Sequence, residues 1–235
     1  MIDHFEMAVA GRLRAGINFG NVLLANRNAN GSPRGIALDL AHELARRLNV
    51  PMQLVSYEAA GRMADGAKAG EWDVAFLAGD PARAEEIDFT PPYLAVETTY
   101  LVWTESTLRT MQDVDAAGIR ISVSNKSAYD LYLTRSLSQG QLVRAPGPEA
   151  SIELFFAEKL DALAGLRPVL MEVAERYPGT RVLDGHFMSV QQAVGVPKGH
   201  KAAASYLRAF IEDVKASGFV ANVIEKNGVR GVTGV

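Results

Sequence analysis

Arg83 is the side chain with the most evident chemical use in this sequence. It follows a short apolar run that begins at Asp73 and ends at Ala78-Gly79, then the turn residues Asp80 and Pro81. Asp80 as a cap with Pro81 at the first position would open a helix over Pro81–Glu86, because the cap accepts an orphan N–H and proline lacks one. A guanidinium there lies close to a strand end and to free helix N–H groups. Its bidentate fork suits a carboxylate where the dipole already favours an anion. The same spacing equally permits a surface Arg paired with Glu86 or Asp88, and spacing alone leaves both readings open.

Other chemistries lack their residues. There is no GxGxxG after the first strand, no GxxxxGK[ST] and no GxSxG, so phosphate cradles and a nucleophile elbow are missing. The absence of Cys removes disulfides, thiolate metal ligands and a cysteine nucleophile. His4, His42, His186 and His200 show neither HExxH nor close pairing, so no metal site and no cofactor is expected. His42 and His200 read as solvated, and Glu85-Glu86 and Asp113/Asp115 as exposed acidic faces. No catalytic residue is nominated.

The elements that must position Arg83 form an alternating pattern. Candidate strands are Leu13–Asn18, Met52–Tyr57, Asp73–Leu77, Thr98–Trp103, Ile119–Val123, Asp161–Ala164, Arg181–Leu183 and Gln191–Val196. Between them fall helices at Leu38–Leu48, Ala60–Ala69, Pro81–Glu86, Ser127–Leu137, Pro148–Glu158 and Arg167–Arg176, then Lys201–Ala216 and Phe219–Lys226. Alternation of this kind is the α/β signature. Pro- and Gly-rich breaks sit at strand–helix junctions, no internal repeat appears, and no linker divides the chain into sequential domains.

Composition narrows the partners. The 235 residues carry 24 Lys plus Arg against 27 Asp plus Glu, a net charge of −3, which offers no field for nucleic acid or an anionic membrane. No run approaches the length of a membrane span. Met1–Arg14 has two acids and no long apolar core, unlike a secretory signal. A content of 48% hydrophobic residues supports a packed core.

The segment from Asp73 to Tyr93 resembles the extracellular solute-binding proteins of family 3, the polar-amino-acid receptors of ABC importers. Asp73, Arg83, Ile87-Asp88-Phe89-Thr90, Pro92 and Tyr93 match the family's pattern in register. Gly35–Ala41, Lys68–Asp73, Gly118–Asp130, Leu160–Ala162 and Ala193–Gly199 follow it in order along nearly the whole chain. The resemblance implies an α/β, two-lobed periplasmic-binding-protein-like (type II) fold. Each lobe would be a central sheet flanked by helices, and two hinge strands near Thr99–Val102 and Gln192–Gly195 would join them. Lobe 1 would comprise residues 1–100 and 195–235, and lobe 2 residues 101–194, closing on ligand by hinge motion.

By position, the resemblance places Asn18, Asn21, Ala75, Phe76 and Ala78 on the lobe 1 wall, with Arg83 on the ligand carboxylate. Asn125, Lys126 and Ser127 would cap the same carboxylate from lobe 2. Ser127 also reads as a plain N-cap, and Asn18 and Asn21 as turn makers. The family's acid for the α-ammonium falls at Leu166, where an apolar side chain would leave a desolvated ammonium unpaired. The stacking aromatic expected near residue 60 is Ala60. The carboxylate half is thus retained and the amine half weakened, which points to a small carboxylate, an organic acid or modified amino acid, rather than an ordinary basic or acidic amino acid. Arg167 could add an anion contact or cap its helix.

The resemblance implies a monomeric, non-membrane-spanning binding protein without enzymatic activity, with an ABC transporter permease as partner and a periplasmic location, while the lack of a signal-like start leaves a cytoplasmic one open. Two alternatives share the fold. One is a cyclohexadienyl or prephenate-type dehydratase, for which Glu172 is the nearest lobe 2 acid, and the other is a ligand-sensing module.

Overall fold

The computed structural model describes residues 11–235. The signal-peptide reading of Met1–Arg14 therefore lies mostly outside the described residues, as does His4. The described chain divides into two compact units. Unit 1 runs up to Ala95 and resumes over Gln191–Val229 and Gly234–Val235. Unit 2 is Val96–Val190 with Arg230–Thr233. The crossings at Ala95/Val96 and Val190/Gln191 fall earlier than the sequence expectation of residues 100/101 and 194/195.

Unit 1 opens with β1 (Leu13–Asn18), a short ladder of β2 (Asn26–Arg27) with β3 (Pro33–Arg34), and α1 (Ile36–Leu48). Helix α1 buries Leu38, Ala41, Leu44, Ala45 and Leu48, the stripe that helical spacing dictates. It stops at Asn49 in the left-handed region, whose N–H is shared by the Ala45 and Arg46 carbonyls. Then follow β4 (Met52–Tyr57), α2 (Ala60–Asp65), β5 (Val74–Ala78), a 3-10 turn (Arg83–Glu85) and β6 (Ile87–Phe89). The expected helix over Pro81–Glu86 is thus only this turn. The chain passes to unit 2 in β7 (Leu94–Trp103).

Unit 2 continues with α3 (Met111–Val114), β8 (Arg120–Ser124), α4 (Ala128–Ser136), β9 (Gln141–Ala145), α5 (Pro148–Ala157), β10 (Ala162–Leu166), α6 (Arg167–Arg176) and β11 (Thr180–Val182). Strand β12 (Met188–Pro197) returns to unit 1 for α7 (Lys201–Ala216) and α8 (Phe219–Lys226), and β13 (Val232–Gly234) ends on β7. Strand β9 had no counterpart among the sequence expectations. As an edge strand it carries exposed Gln141 and Arg144, which dilutes its apolar signal.

Both sheets use one plan. In unit 1, β1 lies between β4 and β5, parallel to both, and β12 joins β5 antiparallel. In unit 2, β8 lies between β9 and β10, parallel to both, and β7 joins β10 antiparallel. Each unit has its own core. Met63, Trp72, Ala75, Leu77 and Ile87 pack together in unit 1, and Leu101, Phe155, Leu160, Leu163 and Leu170 in unit 2. The Trp72 indole N–H donates to the Met63 carbonyl at 2.8 Å, and that of Trp103 to the Leu160 carbonyl at 2.8 Å.

At the amino ends of the strands an aspartate pins each sheet. Asp73 accepts the Arg14 backbone N–H at 2.8 Å and the Arg14 Nη2 at 2.6 Å, while its own N–H bonds the Arg14 carbonyl at 2.9 Å. Asp161 accepts the Arg120 N–H at 2.8 Å and lies 3.5 Å from Arg120 Nε, and its own N–H bonds the Arg120 carbonyl at 3.0 Å. Each Arg also donates to the carbonyl of a left-handed residue, Arg14 to Gly70 at 2.6 Å and Arg120 to Lys159 at 2.9 Å.

Candidate functional site

In open parallel sheets, ligands are received beyond the carboxyl ends of the strands, where loops and helix N-termini converge. In unit 1 the registers Asn18↔Tyr57 and Ile17↔Phe76 bring Asn18, Tyr57 and Ala78 to one such edge. In unit 2 the registers Leu163↔Ser122 and Ser124↔Ala145 carry Asn125 and Leu166 to the corresponding edge.

On the unit 1 edge, Asn18 and Asn21 shape the first loop. The Asn18 Oδ1 accepts the Gly20 N–H at 3.0 Å, and the Asn21 carbonyl accepts the N–H groups of Leu24 and Ala25 at 2.9 and 3.0 Å. Gly20 is required there, since a Cβ would stand 2.2 Å from the Glu58 carbonyl oxygen. The Asn18 side chain thus makes a turn, whereas Asn21 contributes through its backbone, and its Oδ1 is buried with no hydrogen-bond partner, as is the Tyr93 hydroxyl. Ala75 sits in the core cluster with Met63 and Trp72, and Phe76 is buried on β5 opposite Ile17. Of the three candidates on β5, only Ala78 reaches the edge, at the strand's last residue.

Arg83 is not a surface residue. It is 6% exposed, and its Nη1 donates to the Ala78 carbonyl at 2.7 Å. Glu86 pairs instead with Lys68 at 3.0 Å, and the Asp88 carboxylate accepts the Gly199 N–H at 3.4 Å. Desolvation lowers the Arg83 pKa to about 10, and the nearby Asp80 carboxylate works in the opposite direction. Asp80 does not cap a helix as expected: the 3-10 turn starts from Ala82 with no side-chain cap, and the Asp80 Oδ1 instead closes the preceding turn by accepting the Ala82 N–H at 2.9 Å. A three-residue 3-10 turn supplies little dipole, so Arg83's own charge is what this edge offers an anion.

On the unit 2 edge the groups differ in exposure. Asn125 and Lys126 are exposed, and Ser127 caps α4, its hydroxyl accepting the Asp130 N–H at 3.0 Å. Lys126 has φ 55, a left-handed backbone that costs a non-glycine residue about 1 kcal/mol. Asp130, 2% exposed, offsets that by accepting the Lys126 N–H at 2.7 Å, and Arg144 Nε holds the same carboxylate at 2.9 Å. Leu166, half-buried, ends β10 and offers no side-chain cap to α6.

One further charged group on this edge has no local sequence motif. Glu97 lies 3.0 Å from Arg167 Nε and 3.5 Å from His186 Nδ1. Arg167 donates in addition to the Leu183 carbonyl at 3.4 Å and to that of Gly185. Its guanidinium is thus bound to protein groups. The signal that could have found Glu97 is a lone acid in the run Leu94–Trp103, otherwise apolar, Thr or Tyr.

Asp113 and Asp115 serve the backbone. The Asp113 side chain accepts the Arg109 and Thr110 N–H groups, and that of Asp115 accepts those of Ser138, Gln139 and Gly140, which lowers both pKa values. The acidic pair Asp113/Asp115, expected as a plain exposed face, therefore fixes loops. Among the described residues no group of three or more His, Asp or Glu is placed to hold a metal ion. A groove of about 420 Å³ between α1 and α8, lined by Asp39, His42, Glu43 and Arg46, holds none of the candidate residues.

Comparisons with known proteins show the family and the fold. The profile of bacterial extracellular solute-binding proteins, family 3, matches residues 13–229. The amino-acid-binding protein AabA of Dichelobacter nodosus is 19% identical over 201 residues, 83% of this chain and 79% of its own length. The solved solute receptor for L-cysteine of Neisseria gonorrhoeae superimposes with a TM-score of 0.84 at 22% identity, covering 97% of this chain and 95% of that one. The amino acid ABC transporter substrate-binding protein AbpA of Streptococcus pneumoniae, solved with L-arginine, gives 0.79 at 20% identity, covering 94% and 96%. These structures share the type II periplasmic binding fold.

Proposed function

Since the chain belongs to the bacterial extracellular solute-binding proteins, family 3, we propose that it captures a small carboxylate-bearing solute, an α-amino acid or related organic acid, and passes it to an ABC transporter permease. The observation that carries this reading is the start of α4. There the ammonium of Lys126 and the Ser127 cap stand at a helix N-terminus on the carboxyl edge of β8, held by the buried Asp130. A helix start of that kind stabilises a carboxylate through orphan N–H groups and the dipole. Arg83 and Asn21 supply the unit 1 edge with a cation and a buried oxygen acceptor. Relatives are described as binding L-cysteine and L-arginine, both α-amino acids.

The protein acts by binding, without chemistry of its own. Glu172, the acid a dehydratase reading would need, is exposed on α6. It works as a monomer in the periplasm, and no described helix is long and apolar enough to cross a membrane.

Thermal unfolding in the presence of common L-amino acids and small organic acids tests the reading. A ligand at a hundred times its Kd stabilises the folded state by about 2.7 kcal/mol, a shift of several degrees. Mass spectrometry of protein purified without refolding should show a bound small carboxylate. No stabilisation by either class, together with no released carboxylate, would sink the reading.

A further inference from the structure

We propose that Glu97 receives the ammonium group of an α-amino acid ligand, on the strand next to the apolar Leu166. The inference rests on the reading of the protein as a binder of amino acids or their relatives, and it selects the amino acids.

Register places the group. Strand β7 pairs antiparallel with β10, with Thr98 opposite Leu166. Glu97 is the next residue along β7, beside Arg167 just beyond the carboxyl end of β10. Leu166 presents only carbon there, whereas the Glu97 side chain is 49% exposed.

The carboxylate is held but not filled. It has about four lone-pair positions. Arg167 Nε uses one on Oε2, and His186 Nδ1 lies 3.5 Å from Oε1. Arg167 is itself fixed by the carbonyls of Leu183 and Gly185. Glu97 is therefore oriented before any ligand arrives, which lowers the ordering cost of binding. The guanidinium cancels part of the carboxylate's long-range attraction. What remains is short-range, charge-assisted hydrogen bonding to a group placed in contact.

Other acids of this sheet are occupied or misplaced. Asp130 is 2% exposed and already accepts from Lys126, Arg144 and Thr134. Asp161 precedes β10 and pins Arg120 at the opposite, amino end. In unit 1 the register Gln192↔Ala78 puts Gln191 at the position that Glu97 holds in unit 2. The same place in the plan carries a neutral amide in one unit and a carboxylate in the other.

Titration calorimetry of the wild type and Glu97→Gln, using common L-amino acids and their 2-hydroxy-acid analogues, decides the matter. The wild type should prefer the amino acid over its hydroxy analogue by on the order of 10- to 100-fold, the scale of a charge-assisted bond. Glu97→Gln should erase that preference, chiefly by weakening amino-acid binding, and adding Leu166→Asp to it should restore the preference. Equal or tighter wild-type binding of hydroxy acids overturns the inference and leaves the binding function standing. So does an unchanged preference in Glu97→Gln. Binding of neither class removes the function itself and the inference with it. If Glu97→Gln loses its folded circular dichroism spectrum, Glu97→Asp, which withdraws the charge by one methylene, takes its place. Its preference for amino acids should fall, and an unaltered preference overturns the inference.

Discussion

The two units are alike at one end of their sheets and different at the other. At the amino ends, Arg14–Asp73 and Arg120–Asp161 repeat one arrangement down to the shared carbonyl and N–H bonds. At the carboxyl ends, unit 1 buries its cation, Arg83, against its own strand. Unit 2 leaves Lys126 exposed and ties Arg167 to Glu97. The repeated end is architecture, since the same strand plan needs the same pin. The divergent end is where the two units differ in how they place their charged groups, one burying its cation and the other pairing or exposing them.

The largest expected effect breaks the comparison at Arg83. Arg83→Ala should cost about 3–4 kcal/mol in urea unfolding and abolish carboxylate binding, because it deletes a buried cation beside Asp80 and the bond to the Ala78 carbonyl. Retained stability in that variant would show the burial to be incidental.

Next come the two pins, which share geometry but not exposure. Asp73 has 2% of its side chain exposed and Asp161 37%. Asp73→Ala should therefore cost about 3 kcal/mol and Asp161→Ala about 1 kcal/mol, since water screens the second pair. Equal losses in denaturant midpoint would mean that backbone bonding, common to both, carries the whole effect.

A smaller and opposite effect is expected at Lys126. Lys126→Gly removes left-handed strain at φ 55 and should raise stability by about 0.5–1 kcal/mol while weakening carboxylate affinity. Calorimetry and thermal unfolding on one preparation separate the two readouts. A rise in both would dismiss a role for the ammonium.

The smallest effect serves as a control away from either edge. Arg46, then Arg47, hold the Glu43 pKa down to about 2, against its ordinary 4.5. An acid with a lowered folded pKa contributes stability that is fully present above pH 4.5 and lost as pH falls toward 2. Glu43→Gln should flatten that acid limb by less than about 1 kcal/mol without touching ligand affinity. A change in affinity would place the α1 surface within the binding machinery.

Much of the fold is legible in the sequence alone. Leu13–Asn18, Met52–Tyr57, Arg167–Arg176, Lys201–Ala216 and Phe219–Lys226 match the observed bounds, because strong periodicity and Gly or Pro breaks mark their ends. The expected helix over Pro81–Glu86 shrank to a 3-10 turn because the chain must enter β6 at Ile87. Strands β6 and β9 were not foreseen, since three residues, or an edge with two polar positions, carry too little pattern.

The site divides in the same way. Local sequence determined the Ser127 cap, the Asp80 turn and the identity of Arg83 as the cation of its segment, since each depends on neighbours within a few residues. Tertiary structure alone decided that Arg83 is buried, that Ala75 belongs to the core, and that Glu97 stands beside Arg167, 70 residues away in the chain. Burial and charge pairing depend on which strands lie side by side. Strand register is a long-range choice, made by the packing of whole sheets rather than by any short run of residues.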